Sequence, residues 1–179
     1  TRIIKNLPQK SWTTVEGHDH KLYVGHVDNG FSIVDTIQKK FINFTYPELP
    51  GNSVYAICID NNDNVWLGTD GGVALFNTST RTITRFIHDP DNPESIRRGA
   101  VHSICQMRNG EIWFATSQGG ISILDVKSYT YRDIEDATFR SLPINSYPDG
   151  TSSACIRSIF QDSHGNIWLG NYRAGIDFI

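Results

Sequence analysis

The chain has 179 residues, of which 39% are hydrophobic and 20% are charged, and its formal net charge is −3. This composition is typical of an ordinary globular domain, and the slight acidic excess predicts neither a nucleic-acid partner nor contact with an anionic membrane. Three cysteines, an odd number, do not form a disulfide framework, and no apolar stretch reaches the roughly 18 residues of a membrane span.

Short apolar strands recur along the chain, each about five residues long and bounded by Gly or Asn. Runs this short, without a 3.6-residue period, favour strands over helices. In chain order they are expected at residues 11–15, 22–25, 29–35 and 41–44; 54–59, 65–69, 73–77 and 82–86; 101–106, 112–116 and 119–125; and 156–162, 167–170 and 174–179.

One aromatic ring marks each repeat of this pattern. Tyr23, Trp66, Trp113 and Trp168 each lie twelve residues after the start of their repeat, at successive intervals of 43, 47 and 55 residues. That is close to the period of a four-stranded propeller blade. The sequence therefore predicts an all-β fold, a partial β-propeller of four-stranded antiparallel blades, with repeats at about 11–44, 54–86, 101–133 and 156–179.

The turns of each repeat carry residues that tight hairpins require. Polar turns such as 61–64 join the first two strands, because Asn, Asp and Gly tolerate positive φ. Gly30, Gly72, Gly120 and Gly175 are expected to shape the next turn, between the second and third strands. Because blades stack face to face, the second strand and its ring are expected to be buried on both sides.

The two ends of the sequence do not coincide with the boundaries of the repeats. Residues 1–7 look like an outer strand of an adjoining blade, similar to residues 41–44, and the fourth repeat stops after its third strand. Unpaired edges and bare apolar faces favour association. We therefore expect self-association through blade edges.

Two acidic or histidine-containing turns invite a metal-binding interpretation. Residues 60–64 contain Asp and Asn, but an EF-hand loop beginning there would need Gly and Glu where Val65 and Gly71 stand. The His18-Asp19-His20 segment lies at the same turn of the first repeat, where a polar hairpin is the simpler explanation. No metal, cofactor or catalytic residue is predicted, and no nucleotide-binding or hydrolase motif occurs.

Loop variation indicates where a ligand would bind. The connections between repeats, at about 46–53, 88–100 and 135–154, vary in length and leave a propeller on the same side as the turns between second and third strands. Loops on a rigid scaffold commonly carry binding residues. The candidate ligand-binding residues on that side are His26, Asp28, Asp70, Arg97, Arg98, Gln118, Tyr147, Tyr172 and Arg173.

The repeats resemble the two-component regulator propeller repeat over nearly the whole chain. The resemblance rests on the pattern V-x-x-I-x-x-D-x-x-G-x-[IV]-W-[IL]-G, seen at residues 156–170, and on the linker HDPDNPESI at residues 88–96. The first repeat departs most, since Tyr23 replaces Trp and His26 replaces Thr.

The resemblance implies the periplasmic sensor region of hybrid two-component histidine kinases of Bacteroidetes, anchored in the inner membrane and responding to glycans. It implies an oligosaccharide ligand, no enzymatic activity in this segment, and a histidine kinase elsewhere in the parent protein. The alternatives are a protein-interaction or structural propeller without its own small-molecule ligand, and a propeller enzyme such as a polysaccharide lyase or glycosidase. An enzyme would need acidic or basic groups converging on a pocket, and the sequence contains no such constellation.

Overall fold

The computed structural model describes residue 4 and residues 6–124, 134–144 and 150–179. Its strands are β1 (Ser11–Glu16), β2 (Leu22–His26), β3 (Phe31–Asp35), β4 (Lys40–Phe44), β5 (Val54–Ile59), β6 (Val65–Thr69), β7 (Gly72–Phe76), β8 (Ile83–Phe86), β9 (Val101–Gln106), β10 (Ile112–Thr116), β11 (Gly120–Leu124), β12 (Phe139–Ser141), β13 (Ile156–Gln161), β14 (Ile167–Asn171) and β15 (Gly175–Phe178). A short 3-10 turn at Ile134–Asp136 precedes β12. Within these ranges, no helix has the length and apolarity that a membrane span needs.

The strands form four antiparallel meanders, which confirms the all-β propeller prediction. Blade 1 (β1–β4), blade 2 (β5–β8) and blade 3 (β9–β12) have four strands, and blade 4 (β13–β15) has three. The fourth strand of blade 3, Phe139–Ser141, pairs with β11 beyond residue 133, where the third repeat was expected to end. The segment joining β11 to β12 is therefore longer than the equivalent segments of blades 1 and 2.

The blades fan out from their first strands. Strands β1, β5, β9 and β13 lie against one another in sequence order, so they form the inner side of the partial ring. Apolar residues of neighbouring sheets fill the space between them, and both faces of β6 and β10 are buried as expected. The largest such core joins blades 2 and 3 and includes Trp66, Phe86, Phe114 and Phe139.

Each marker ring is tied to an acidic residue of the preceding turn. In blade 2 the Trp66 indole donates to Asp60 Oδ2 at 2.9 Å, and in blade 4 Trp168 donates to Asp162 Oδ2 at 3.0 Å. Hydrogen bonds from Trp168 and then Asn166 lower the pKa of Asp162 to about 2. The spacing D-x-x-x-x-x-W in the repeat thus joins the turn to the second strand.

The other two rings reach an acidic partner from different positions. The Trp113 indole donates to Glu111 Oε2 at 3.0 Å, and the Tyr23 hydroxyl donates to Asp19 Oδ2 at 3.2 Å. The same contact is therefore kept in blades 1 and 3, although the Asp of the repeat pattern is replaced there by Gly17 and Met107.

Candidate functional site

The loops that the sequence singles out lie at one end of the sheets. In every blade, a backbone N–H of the turn between the second and third strands donates a hydrogen bond to the carbonyl of the residue that directly precedes the first strand. These bonds are Val27 N to Lys10 O, Asp70 N to Ser53 O, Ser117 N to Ala100 O and Tyr172 N to Cys155 O, at 2.9–3.1 Å. The connections between blades and these turns therefore form one continuous surface, which we call the loop face.

His26, a candidate ligand residue, is fully buried and does not lie on that surface. Its Nε2 lies 2.8 Å from Ser32 Oγ and its Nδ1 lies 3.3 Å from Ser11 Oγ. Thr69 and Thr116 occupy the same place in blades 2 and 3, and both are buried too. His26 therefore belongs to the interior of blade 1, since the last residue of the second strand is buried in blades 1 to 3.

Burial lowers the pKa of His26 below its ordinary value of 6.5. The unfolded chain then binds the proton more readily, so the stability contributed by neutral His26 is complete above pH 6.5 and decreases as pH falls through the folded-state pKa. We expect the free energy of unfolding to drop more in the wild type than in His26→Thr between about pH 7.5 and about pH 5.5. Urea unfolding at both pH values measures this, and equal drops would contradict the assignment.

Arg97, Arg98 and Gln118 come together on the loop face of blade 3. They line a cavity of about 440 Å³ with Gly119 and residues 141–144. The Arg97 guanidinium donates to Ser141 Oγ at 2.7 Å, and the Arg98 side chain is exposed. The fold thus brings residues from three separate segments of the sequence into one concave site.

The acidic candidates lie on the loop face of blades 1 and 2, where each already has a partner. Asp28 is 3.4 Å from the Lys10 ammonium, and Asp70 Oδ1 accepts the Ser53 amide at 3.0 Å. Tyr147, the remaining candidate from the connections between blades, lies outside the described residues.

Tyr172 and Arg173 form a cationic cluster with a residue that sequence reasoning missed. The guanidinium carbons of Arg157 and Arg173 lie 5.1 and 5.0 Å from the centroid of the Tyr172 ring. Both distances are within the range of favourable cation–π interaction. Arg157 is on β13, so the cluster joins the inner strand of blade 4 to its loop face.

Arg157 is one of four bulged residues at the same position in each inner strand. Strand β13 pairs Ile156 with Asn171 and Ser158 with Gly170, which leaves Arg157 without a register partner. The same irregularity occurs at Trp12 in β1, Tyr55 in β5 and His102 in β9. A β-bulge redirects a side chain, and bulges are common beside functional sites.

These bulged residues and the Tyr172 turn make a continuous row across the four blades, which we call the inner row: Trp12, Tyr55, His102, Arg157, Tyr172 and Arg173. The ring centroids of Trp12 and Tyr55 are 5.8 Å apart, and those of Tyr55 and His102 are 5.0 Å apart. Arg157 Nη1 lies 2.6 Å from His102 Nε2. The inner row thus changes from aromatic at blade 1 to cationic at blade 4.

The contact between His102 and Arg157 defines the protonation of the imidazole. An arginine nitrogen can only donate, so His102 Nε2 accepts and the ring is neutral. Burial, and then the positive charge of Arg157, lower the pKa of His102 below its ordinary value. His102 therefore orients the Arg157 guanidinium without adding a charge of its own.

A simple signal in the sequence marks the four bulged residues individually, although not their arrangement in a row. The second residue of each first strand is Trp12, Tyr55, His102 or Arg157, whereas Val or Ile precedes it in blades 2 to 4. Large polar or aromatic residues that recur at one strand position, next to aliphatic residues, indicate a lined surface. The length variation of the loops drew attention to the neighbouring turns instead.

The metal interpretation of the first turn finds no support in the geometry. His18 Nδ1 contacts Asp63 of the neighbouring blade, and His20 lies 3.5 Å from Glu16. Among the described residues, no three His, Cys, Asp or Glu side chains are grouped so that they could hold a metal ion.

Comparison with solved structures shows a related domain and a shared fold. The extracellular domain of the hybrid two component system BT3049 from B. thetaiotaomicron is 37% identical, with a TM-score of 0.79 over 98% of this chain and 21% of that one. For BT4673 from the same organism, the identity is 22% and the TM-score 0.73, over 96% of this chain and 22% of that one. The chain thus spans about a fifth of the length of these domains.

The same fold also occurs in an enzyme, so the fold by itself does not indicate a function. Virginiamycin B lyase from Staphylococcus aureus is 16% identical with a TM-score of 0.69, over 99% of this chain and 57% of that one. At 22% and 16% identity the likeness to BT4673 and to the lyase shows the fold alone. No curated protein matches the chain.

The family comparison agrees with the geometry of the blades. The model of the two component regulator propeller matches residues 48–71 and 150–173. Each match spans the end of a connection between blades, the first and second strands of a blade, and the start of the turn that follows. In the second match the paired Asp162 and Trp168 are both included. Two of the four repeats, at residues 48–71 and 150–173, therefore match the two component regulator propeller repeat.

Proposed function

We propose that this chain is part of the extracytoplasmic sensor region of a hybrid two component system and that it binds carbohydrate along the inner row. The observation that carries the proposal is the row itself, in which four inner strands each present one bulged side chain at the same end. The 37% identity to an extracellular domain of such a system supports the sensor role and the extracytoplasmic location. Periplasmic placement and an inner-membrane anchor are part of the same proposal.

The chemistry of the row suits a saccharide. Trp12 is 63% exposed and meets Tyr55 edge to face at an interplanar angle of 80°, so the two rings offer differently oriented apolar surfaces. Binding sites for small molecules combine aromatic walls with a few polar groups that fix orientation. The apolar C–H faces of a sugar ring can pack on the aromatic rings, while its hydroxyl groups reach His102 and Arg157.

The proposal is tested by measuring oligosaccharide binding calorimetrically with a panel of neutral and charged probes. Trp12→Ala and Tyr55→Ala are each expected to weaken binding about tenfold, because a lost aromatic contact and its buried area together cost on the order of 1.4 kcal/mol. Phe160→Ala is the matched control. Phe160 is 62% exposed on an inner strand, but it lies away from the bulge.

The outcomes separate clearly. Weakened binding in both row variants and unchanged binding in Phe160→Ala support the inner row as the carbohydrate site. Wild-type chain that binds none of the probes, or row variants that bind as well as the wild type, would refute it.

A second candidate function, protein interaction, is favoured by the bare face of blade 4. Trp168 is 39% exposed and Phe178 is 52% exposed, whereas Trp66 at the position equivalent to Trp168 is fully buried by the next blade. Among the described residues, no sheet covers this face of blade 4. Another β-sheet, from a second copy of the chain or from a further blade, fits this surface, and self-association stays a prediction.

A further inference from the structure

The loop face has an uneven distribution of charge. Its acidic candidates, Asp28 and Asp70, belong to blades 1 and 2, and Lys10 lies beside Asp28. Blades 3 and 4 contribute Arg97, Arg98, Arg157 and Arg173 to the same end. The connection at 88–100 also carries Asp89, Asp91 and Glu94, so the cationic excess is local to the Tyr172 turn, where Arg157 and Arg173 lie.

The two arginines of the inner row have most of their hydrogen-bonding capacity available. A guanidinium has five N–H donors, and Arg157 uses one of its terminal nitrogens for His102. Within the described residues, Arg173 contacts the Tyr172 ring and makes no ion pair. Asp177, the acidic residue of β15, has Oδ2 engaged by the Ser152 amide at 2.8 Å.

Their positions are set before any ligand arrives. The Tyr172 ring lies about 5 Å from both guanidinium groups, and neutral His102 accepts from Arg157. Arg173 has a φ of 64°, the left-handed conformation that Asp28 also adopts at the equivalent turn position of blade 1. A planar guanidinium held in place matches the two oxygens of a carboxylate or sulfate in a bidentate manner.

We propose that Arg157 and Arg173 bind the negatively charged group of an acidic oligosaccharide whose neighbouring sugar units pack on Trp12 and Tyr55. This inference rests on the proposed function and specifies the class of its ligand. The shared chemistry is an oxyanion attached to a sugar, either the carboxylate of a uronic acid or a sulfate ester. The inner row then binds the ligand in one orientation, with the charged sugar unit at blade 4.

Three tetrasaccharide probes test the inference: a uronic-acid tetrasaccharide, its carboxyl-reduced neutral counterpart, and a sulfated neutral tetrasaccharide. Calorimetry on the 179-residue chain is expected to show at least one acidic probe binding about tenfold or more tightly than the neutral counterpart, since hydrogen bonds to charged groups are stronger than those between neutral groups. The preference is expected to shrink as salt is raised. Which acidic probe is preferred identifies the oxyanion.

The variants locate the preference. Arg157→Gln and Arg173→Asn are each expected to abolish the preference, so that within each variant the acidic and neutral probes bind with affinities within about twofold of each other. Asn tolerates the left-handed conformation at position 173. Arg85→Gln is the matched control, because Arg85 is an exposed arginine on outer strand β8 that bonds Pro47 O. Circular dichroism and a melting temperature equal to that of the wild type show that the variants are folded.

Three results would overturn the inference, and they can be told apart. Equal affinity for neutral and acidic probes in the wild type refutes the acidic ligand but leaves carbohydrate binding intact. An acidic preference that survives both arginine substitutions places the oxyanion elsewhere. Absence of binding by all three probes refutes the proposed function itself, and this inference with it.

Discussion

Replacing Trp66 with alanine is expected to lower the free energy of unfolding by about 3–5 kcal/mol, the usual cost of removing a large buried aromatic side chain. Trp66 is fully buried between blades 2 and 3, with its ring 5.9 Å from Phe86 and 5.5 Å from Phe114. Its indole also donates to Asp60. The substitution therefore leaves a cavity between blades, and urea unfolding followed by circular dichroism measures the loss.

Trp168→Ala is the matched comparison, because Trp168 makes the same turn contact with an equivalent aspartate. Its indole donates to Asp162 at 3.0 Å, against 2.9 Å for Trp66 and Asp60. Trp168 is 39% exposed, so its removal leaves no enclosed cavity within the described residues. We expect less than half the loss seen for Trp66→Ala. Equal losses would mean that the hydrogen bond to the turn, and not packing between blades, dominates.

Replacing Gly30 with alanine is expected to have the second large effect on stability. Gly30 has a φ of 68°, and a Cβ added there would lie 2.0 Å from the backbone oxygen of Phe44. The left-handed conformation alone costs an ordinary residue roughly 1–2 kcal/mol. The clash adds to this, because β4 must move away from β3 where Phe31 pairs with Phe44.

Gly175→Ala separates the two contributions. Gly175 also has a positive φ, of 81°, but a Cβ added there would meet no atom within 4 Å. Its substitution is therefore expected to cost only the conformational part, about 1–2 kcal/mol. A melting temperature for Gly30→Ala no lower than that of Gly175→Ala would show that β4 moves away from the added Cβ without lowering the stability of the fold.

The repeat made most of the fold readable from the sequence. Four aromatic rings, each twelve residues after the start of its repeat, and the polar turns that precede them identified the blades. This was possible because each blade is a local meander whose strands pair with their neighbours in the chain. The second strands of blades 2 and 3 were correctly expected to be buried on both faces. The fourth strand of blade 3 was harder to locate, because a short edge strand at Phe139–Ser141 has little periodicity to mark it.

Part of the candidate site could be predicted from the sequence. Tyr172, Arg173, Arg97, Arg98 and Gln118 do lie on the loop face, since turn residues between strands must emerge at the ends of a sheet. His26 was misjudged, because whether the last residue of a strand points into the blade or out of it depends on its cross-strand neighbours Ser11 and Ser32. No property of the imidazole itself distinguishes these two cases.

By itself, then, the sequence determined the repeat, the blade pattern and the resemblance to a sensor propeller. These depend on contacts within about 45 residues. Only the tertiary structure decided that Trp12, Tyr55, His102 and Arg157, each 43 to 55 residues from the next, form one row. Bulges arise from the mismatch between two paired strands, and a row across blades requires those strands to lie side by side. Neither condition is written in the local pattern of any one repeat.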